Sequence, residues 1–503
     1  MNILVLSNSA PNYHRFFNAI SLKLASEGNS VTIAYDCAYS SDANGLPALG
    51  LQCYGFSEYF SRFGAASVES EVIGSTNLNS ALLSDFERGS VYGFEGGRSV
   101  AYYRKLVNAL WKYFDSIIVS NRIDVIFYEN ISNAFAHFAW MVARHRGVKY
   151  IGLVGSRLPG RFAVVMDPFG EAGTYESYLK KIRGGGMVPP SEVTDWCVRY
   201  LDNIEKIVPD YMHFNNLDNL SLSNRYFNVM KLEKFKRAWR HRNDDHLHAF
   251  QVGDPLGLSW EMVWRNIRRK FKLPVIRKYY SNPESGDEYV LYPLHFHPES
   301  STSILAGTYL DEYEVIRNIA FNLPFGKMLY VKDHISAYGY PSVEFYRKIS
   351  VLPNVRLIAP TANTKQLIRD SLAVITLTST VGYEALLLNK RVFLYGSVFY
   401  EFHPNVVRVD NPARLFELLV THLDSPLVVG SDYNSDFVAA YYMGTYPGVL
   451  NFSLDDAGTA KLVEQVWPVL REVLHRAVQP DDSVELIGSG VPLSAAGQPA
   501  CGG

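Results

Sequence analysis

The chain has 503 residues, 48% hydrophobic and 19% charged, a composition typical of a soluble globular protein that is long enough for two or more domains. Its 48 Lys and Arg residues against 50 Asp and Glu residues give a net charge of −2, which excludes recruitment of nucleic acid by an overall positive field. Four scattered cysteines without disulfide or zinc spacing, no signal-peptide pattern and no membrane-spanning apolar run predict a cytoplasmic protein.

The N-terminal part alternates apolar strands with helices. The run NILVL is followed by a helical pattern that stops at Gly28 and by the strand SVTIAYD. A further unit consists of the strand DVIFYEN, a helix with a glycine stop and the strand VKYIGLV. We predict a Rossmann-like parallel-sheet domain over residues 1–188, with a loop-rich insertion at about residues 40–100.

The middle and C-terminal parts differ in pattern. Residues 189–282 contain long, charged, tryptophan-rich segments such as TDWCVRYLDNIEKIV, which predict a helical linker. From 283 to 478, five apolar strands interleaved with helices predict a second doubly wound domain. The Ser-, Gly-, Pro- and Ala-rich residues 479–503 predict a disordered tail. The expected fold is α/β, with two Rossmann-like domains facing a central cleft.

The stretch ITLTSTVGYEALLLN places polar residues where a strand ends and a helix begins. Ser379 and Thr380 end the strand, Gly382 permits close backbone approach, and Glu384 lies in the first turn of the helix. Free N–H groups at such a helix start bind phosphate. The alternative is an ordinary capped helix with an acidic first turn. Because ligands bind beyond the carboxyl ends of strands in open α/β sheets, the position favours ligand binding.

Four segments, in order, carry a resemblance to a known family: LYPLHFHPESST, LYVKDH, VRLIAPTANTKQLI and VITLTSTVGYEALLLNKRVFLYGSVFY. Over residues 289–402, and more weakly in the N-terminal domain, the chain resembles the bacterial capsule polysaccharide biosynthesis family, whose members include retaining β-Kdo glycosyltransferases. One departure is Ile335, where the family usually has proline.

The resemblance implies a GT-B-like fold in which the first domain holds the acceptor and the catalytic groups, and the second holds the nucleotide sugar. It implies CMP-Kdo as the donor, a glycan or lipid-linked glycan as the acceptor, and no metal or other cofactor. The alternatives are a transferase or epimerase that uses another nucleotide sugar, or a non-catalytic component of polysaccharide assembly or export.

The two histidines of LHFHPESST lie one residue apart, so strand-like alternation puts His295 and His297 on the same side. A zinc site needs further ligands, and neither a clustered carboxylate nor a D-x-D element accompanies them, so a metal is the weaker interpretation. We predict that this loop binds the nucleotide phosphate, with a buried structural pair as the alternative. The polar residues assigned with the histidines are Glu299, Ser300 and Ser301.

Two further strand ends supply predicted nucleotide contacts. Lys332 and His334 follow one strand and suit a negatively charged group, although a surface Lys–Asp pair is the alternative. Asn363 and Thr364 are predicted to contact the base or ribose, with an N-cap as an equal alternative.

Catalytic carboxylates are expected in the first domain. In the resembled transferases an arginine-rich loop, an apolar run and Asp-x-x-Gly carry the presumed catalytic aspartate, which here implies Asp167 as nucleophile; an Asp-Pro turn is the alternative. Glu129 ends a strand and is predicted as acid/base, or else as a helix cap.

Substrate contacts are predicted around the same cleft. Arg157 and Arg161 suit the carboxylate of a sugar acid, and Ser156 suits a substrate hydroxyl. The first strand ends in Asn8 and Ser9, with His14 in the following loop, and these residues are expected to border the cleft. Asn8 is assigned to substrate binding.

Residues 264–281, WRNIRRKFKLPVIRKYYS, hold seven basic residues among aromatic ones and no acid. A solvated helix face explains this pattern, but so does contact with an anionic membrane or an anionic acceptor. We therefore predict a cytoplasmic enzyme that is peripheral at the inner membrane through this segment.

Overall fold

The computed structural model describes residues 1–64, 68–84, 86, 89, 97–207, 229–452 and 454–478. The predicted tail 479–503 and the linker residues 208–228 lie outside this part of the chain. The predicted α/β class with two doubly wound domains is confirmed, because the strands form one sheet of seven and one of six.

The first sheet has the order β13-β6-β5-β4-β1-β2-β3. Pairing is parallel from β5 through β3, whereas β6 and β13 are antiparallel to their neighbours. The chain therefore switches direction across the sheet between β1 and β4, and the ends of these two strands border a ligand-sized crevice. The strands are β1 (Asn2–Ser7), β2 (Ser30–Tyr35), β3 (Gln52–Gly55), β4 (Val125–Glu129), β5 (Lys149–Gly155), β6 (Arg161–Val165) and β13 (Tyr446–Pro447).

Helices cover this sheet and pack through apolar faces. They are α1 (Tyr13–Ser26), α2 (Ala38–Asn44), α3 (Phe56–Arg62), α4 (Ser70–Ser75), α5 (Leu78–Leu83), α6 (Val100–Ser120) and α7 (Ala134–His145). The prediction of a loop-rich insertion at 40–100 is wrong, since β3 and four helices or helical parts fall within it. Short strands and helices of four to seven residues give too little periodicity for a sequence-based assignment.

The second sheet is parallel throughout and has the order β12-β11-β10-β7-β8-β9. Its direction switches between β7 and β10. The sheet has six strands, one more than predicted, because the three-residue β12 is too short to recognise. The strands are β7 (Tyr289–Pro293), β8 (Met328–Lys332), β9 (Val355–Ile358), β10 (Ala373–Thr376), β11 (Arg391–Leu394) and β12 (Val406–Arg408).

The remaining helices connect and cover the second sheet. The middle segment contributes α8 (Glu171–Arg183), α9 (Ser191–Asp202), α10 (Val229–Arg240) and α11 (Pro255–Ile276). The C-terminal part contributes α12 (Ser300–Ser303), α13 (Glu312–Asn322), α14 (Val343–Ser350), α15 (Thr364–Asp370), α16 (Thr380–Leu387), α17 (Leu415–His422), α18 (Ser431–Met443) and α19 (Asp456–Val478).

The chain passes between the two domains more than once, unlike the continuous ranges 1–188 and 283–478 predicted from the sequence. Helices α8 and α9 share a core with α18 and the second sheet. Strand β13 and α19 return to the first domain, where Val466 and Leu470 are fully buried in its core. The indole N–H of Trp467 donates to Glu27 at 3.2 Å. These crossings tie the two sheets together on either side of the cleft.

Candidate functional site

The site is built where the second sheet switches direction. His295 follows β7, and residues 377–379 follow its neighbour β10. Both loops therefore leave the same edge of the sheet next to each other, at the position where open α/β sheets bind ligands. Lys332 and the residues after it leave the same edge from β8.

A buried carboxylate organises the histidine loop. The Oε1 atom of Glu312, at the start of α13, accepts the backbone N–H of His295 at 2.9 Å and lies 2.8 Å from its Nδ1. Its Oε2 atom lies 3.5 Å from Nε2 of His297. Both histidines thus lie on one side of the loop, as alternation predicted. The tyrosine hydroxyl of Tyr292 donates to Oε1 at 3.2 Å.

These contacts fix the charge of Glu312. Burial alone raises the pKa of its carboxyl group, but the hydrogen bonds and charges of His295 and His297 outweigh burial and lower the pKa to about 2. The sequence analysis missed Glu312, because it lies 15 residues beyond His297 at the start of an ordinary helix. Its only local signal was the pair Asp311-Glu312, in which Asp311 is the N-cap of α13.

The two histidines have different environments. His295 is 4% exposed, and its Nε2 atom lies 3.3 Å from Oγ1 of Thr376 and 3.4 Å from the backbone nitrogen of Thr378. Its Nδ1 atom faces Glu312, and its Nε2 atom faces the N–H of Thr378. His295 therefore joins the β7 and β10 loops, as the structural alternative predicted, whereas His297 is 18% exposed and lines a cavity.

The cavity beside His297 has a volume of about 880 Å³ and lies between α11, the start of α13 and the loop before α14. Helix α11 contributes the cations Arg265, Arg268 and Lys272 to the cavity lining, which also contains four carboxylates: Glu261, Asp311, Glu312 and Asp333. Arg265 lies 3.9 Å from the ring centre of Tyr340, and Lys272 Nζ donates to the Tyr340 carbonyl at 3.4 Å. Part of the basic segment 264–281 thus faces the histidine site rather than solvent.

Lys332 and His334 lie at the same sheet edge but are largely withdrawn from solvent. Lys332 Nζ donates to the carbonyl oxygens of Pro360, at 3.1 Å, and Asp333, at 3.4 Å. Burial lowers the pKa of Lys332 to about 8, although Asp333 and Glu384 act in the opposite direction. Burial, together with His295 and Lys332, lowers the pKa of His334 to about 4, so this imidazole is neutral near pH 7.

The start of α16 is a capped helix. Ser379 Oγ accepts the N–H of Val381 at 3.1 Å. A Cβ atom on Gly382 would lie 2.3 Å from the hydroxyl of Tyr400, so this glycine admits a tyrosine side chain rather than a ligand. Glu384 is half-buried and pairs with Lys365 at 3.0 Å; desolvation raises the pKa of Glu384, and Lys365 opposes this shift. Thr380 is half-buried beside the cap.

The remaining residues that were predicted to contact the nucleotide lie in helix caps or make local hydrogen bonds. Asn363 caps α15 by accepting the N–H of Gln366 at 3.1 Å, and Thr364 begins that helix. Glu299 is exposed and accepts the hydroxyl of Ser301 at 3.1 Å. The side chain of Ser300 lies outside the described part of the chain. These positions border the site, and their ligand contacts stay predictions.

On the first sheet, Glu129 ends β4 next to the direction switch. Its Oε1 atom accepts the hydroxyl of Ser132 at 2.8 Å. The charge of Glu129, followed by burial and a hydrogen bond to the same carboxylate, raises the pKa of Tyr13 well above its ordinary value. The Tyr13 hydroxyl therefore stays protonated and orients the Glu129 carboxylate at the cleft-facing edge.

Two buried polar residues lie at the end of the neighbouring strand β1. Asn8 and Ser9 are buried, and among the described residues the Asn8 Nδ2 and Ser9 Oγ atoms have no hydrogen-bond partner. A buried donor without a partner is costly, which favours a ligand contact at this edge. His14 lies in the first turn of α1, and burial followed by Arg15 lowers its pKa.

Arg161 and Asp167, both predicted to act on the substrate, make different contacts in the structure. Arg161 donates from Nε to Thr445 Oγ1 at 2.8 Å and stacks 3.6 Å from the Tyr442 ring centre, and its contact with a substrate carboxylate stays a prediction. Asp167 is exposed, and its Oδ1 accepts the N–H of Phe169 at 3.1 Å, a contact that its turn alternative explains. The nucleophile role stays a prediction.

Ser156 and Arg157 lie where β5 ends and contact the second domain. The Ser156 and Tyr441 hydroxyls are 3.2 Å apart, and the backbone N–H of Arg157 donates to Tyr441 at 2.8 Å. The Arg157 guanidinium opposes the rise that burial imposes on the pKa of Glu171. Both residues therefore contribute to the contact between domains at the cleft.

The second-sheet site coincides with a match to a protein family. Residues 200–408 match the profile of the capsule polysaccharide biosynthesis protein family. Over this range the chain is similar to the capsule polysaccharide biosynthesis family. The matched range contains α11, the Glu312-anchored histidine loop and the start of α16. The family assignment from the sequence motifs is confirmed.

A comparison with curated protein sequences gives no match. Solved structures with a similar fold include two proteins from Thermosulfurimonas dismutans. KpsC, beta Kdo 2,4 transferase, is 16% identical over 63% of this chain and 79% of its own, with a TM-score of 0.34. KpsC, beta Kdo 2,7 transferase, is 13% identical over 66% and 80%, with a TM-score of 0.30.

A UDP-GlcNAc 2-epimerase from Methanocaldococcus jannaschii is 10% identical over 88% of this chain and 98% of its own, with a TM-score of 0.25. Because these TM-scores are low, the fold assignment rests on the strand order described above and not on these matches.

Proposed function

We propose that this protein is a retaining glycosyltransferase that transfers Kdo from CMP-Kdo to a capsule polysaccharide or lipid-linked saccharide. The observation that carries the proposal is the Glu312-anchored histidine loop at the switch point, which opens into a cavity lined by Arg265, Arg268 and Lys272. The phosphate and the sugar-acid carboxylate of such a donor are both anionic and match the three cations that α11 contributes to one wall of the cavity.

The proposed roles follow from position. His297 faces the cavity and donates to the phosphate, while His295 and Glu312 hold its loop in place. The arginines of α11 neutralise the donor charge. On the facing sheet, Glu129 acts as the acid/base, and Asp167 is the nucleophile that the family motif implies; a retaining mechanism requires a second carboxylate of this kind. No step in this proposal needs a metal ion.

Selective stabilisation by CMP tests this function. We expect CMP, but not UDP or GDP at equal concentration, to raise the melting temperature of the purified protein, because a ligand of the folded state alone stabilises it. The shift should persist in EDTA and decrease strongly in His297→Ala. The control His475→Ala removes an exposed histidine from α19 and should leave the shift intact.

Selective stabilisation by UDP would contradict the CMP-Kdo proposal and support a transferase or epimerase for another nucleotide sugar. Loss of the CMP shift in EDTA would contradict metal independence. Stabilisation without any transfer of Kdo to a capsule oligosaccharide would support a non-catalytic component.

The proposed partner surface is an anionic membrane, contacted through one face of α11. Trp260, Trp264, Ile267 and Phe271 recur at helical spacing, and their exposed fractions are 65%, 48%, 38% and 79%. The neighbouring helix α10 adds exposed Trp239. Arg265 and Arg268 of α11 face the cavity. The proposed membrane surface therefore consists of the exposed aromatic rings on another face of the helix, and Lys270 is an exposed cation of the same helix. Within the described residues, no helix has the length and apolar character needed to cross a membrane.

Removing two of these aromatic rings should release the protein from vesicles. We expect the Trp264→Ser and Phe271→Ser double variant to lose most co-sedimentation with vesicles of phosphatidylglycerol and phosphatidylcholine, because interfacial binding scales with buried apolar area. The control Phe321→Ser removes another exposed ring, on α13, and should sediment as wild type does. Equal sedimentation of both variants, or no sedimentation of wild type, would contradict the membrane proposal.

A further inference from the structure

A second cavity lies between the two domains, on the other side of the histidine loop from α11. Its volume is about 860 Å³, which is within the range of small-molecule sites. The first domain contributes α5, α7 and Phe169, and the second contributes residues 303–310 and 395–397. Neither the predicted nucleotide contacts nor the predicted catalytic carboxylates line it.

Aromatic rings form two facing walls of this cavity. On the first domain, the ring centres of Trp140 and Phe169 are 4.9 Å apart, and His137 lies 5.5 Å from Phe169. On the second domain, Tyr309 and Tyr395 pack edge to face at 5.0 Å. Apolar ring faces combined with hydroxyl and amide groups at the rim suit the alternating apolar and hydroxylated faces of sugars.

The charged and titratable side chains that line this cavity are all basic. Among the described residues that line the cavity, the cationic or titratable basic groups are His137, Arg144 and His145, and there is no aspartate or glutamate. Arg144 is exposed at the rim and lies 5.6 Å from the ring centre of Trp140. An acidic saccharide therefore enters this cavity without like-charge repulsion.

His137 provides an independent sign of a ligand. Its side chain belongs to a residue only 4% exposed, and Nδ1 has no hydrogen-bond partner among the described residues. Burial lowers the pKa of His137 to about 4, so the ring is neutral near pH 7 and its unpaired nitrogen remains costly. A ligand hydroxyl that reaches this nitrogen removes that cost.

Wall residues of the cavity are hydrogen-bonded to residues in or near the proposed reaction site. Phe169 in its wall donates its N–H to Asp167 at 3.1 Å. On the opposite wall, Gly396 N–H donates to the Leu377 carbonyl at 2.9 Å, two residues before Ser379. A saccharide whose end reaches Asp167 would lie beside Phe169, which lines this cavity.

We infer that the cavity between α7 and residues 303–310 is an acceptor subsite that binds an acidic oligosaccharide, with Trp140 and Tyr309 as stacking platforms and Arg144 and His137 as polar contacts. This inference rests on the proposed function, because it identifies the substrate class on the acceptor side of the same cleft. It adds a binding site that is separate from the nucleotide site.

Titration of the full chain with a Kdo disaccharide, followed by calorimetry, tests the inference, with maltose as the neutral comparison. We expect binding of the Kdo disaccharide to weaken about tenfold in Trp140→Ala, which removes one stacking platform. Arg144→Gln should weaken the acidic disaccharide selectively. The control Phe325→Ala removes an exposed aromatic ring after α13 and should bind as wild type does.

His137→Phe separates a binding role from a structural one. Replacing the unpaired imidazole should raise the melting temperature, because no buried polar atom is left without a partner, and should weaken disaccharide binding at least several-fold. Higher stability with unchanged binding would show a purely structural histidine and count against the inference.

The CMP thermal shift, measured in the same variants, distinguishes this inference from the proposed function. An unchanged CMP shift with weakened disaccharide binding supports the acceptor subsite. Wild-type affinity in Trp140→Ala and Arg144→Gln, or no disaccharide binding by wild type up to millimolar concentration, overturns the subsite whatever the CMP result. Failure of CMP to bind any variant or wild type contradicts the donor proposal alone.

Discussion

Replacing Glu312 by glutamine is expected to destabilise the protein by about 3 kcal/mol near pH 7, because the folded state lowers the carboxyl pKa from 4.5 to about 2 and one pKa unit corresponds to about 1.4 kcal/mol. Glutamine keeps the size of the side chain but not its charge. His295 and His297 then lose the anion that holds their loop, so the CMP-induced thermal shift should decrease as well.

The stability that Glu312 contributes depends on pH in one direction. A carboxyl group whose pKa is lower in the folded state stabilises that state fully above its unfolded pKa and loses the effect as the pH falls. The difference between wild type and Glu312→Gln should therefore be constant above about pH 5 and shrink between pH 4.5 and about 2. Urea unfolding of both proteins across this pH range measures it.

Glu314→Gln is the matched control, because this exposed carboxylate on the same helix pairs only with Arg317 at the surface, at 2.5 Å. Exposed ion pairs of this kind contribute at most about 1 kcal/mol. A Glu312→Gln effect as small as that of Glu314→Gln, without pH dependence, would contradict the role assigned to Glu312 as the anchor of the histidine loop.

The position of the site could be predicted from the sequence, because continuous apolar strands, glycine stops and polar residues at strand ends are local signals. They identified β7, β10 and the motif residues His295, His297 and Ser379. They did not identify Glu312, since the partner of a histidine is determined by which helix the tertiary fold places beside it. Nor did they show that the Arg161 guanidinium donates a hydrogen bond to Thr445, almost 300 residues later in the chain.

The domain boundaries show the same limit. Helices α8 and α9 look like any amphipathic helices after a Rossmann-like unit, and α19 like any helix at the end of the second one. Which sheet each of them covers depends on complementary packing with α18 or α1, and periodicity carries no information about the partner. The basic segment 264–281 illustrates a related point, because charge composition predicted an anionic partner but not that arginines and exposed aromatic rings use different faces of α11.

Glu129→Gln is expected to reduce the rate of Kdo transfer by about 10²- to 10⁴-fold, the contribution typical of a general acid/base, while the CMP thermal shift stays unchanged. The separation follows from the structure: Glu129 lies at the end of β4 on the first sheet, whereas the histidine loop lies on the second. Glutamine still accepts the hydroxyls of Ser132 and Tyr13, so the fold at this edge should be retained. Single-turnover transfer from CMP-Kdo to a capsule oligosaccharide provides the measurement.

Two variants decide what the Glu129 result means. Glu464→Gln removes an exposed carboxylate from α19 on the same domain and should transfer Kdo at the wild-type rate. Asp167→Asn preserves the Oδ1 atom that accepts the N–H of Phe169, so its turn should persist. We expect it to lose transfer as Glu129→Gln does, because a retaining reaction needs a nucleophile as well as an acid/base. Full activity in Asp167→Asn would show that Asp167 only stabilises its turn, and the reacting carboxylate would then be Glu129. Full activity in Glu129→Gln would show that Glu129 takes no part in the reaction.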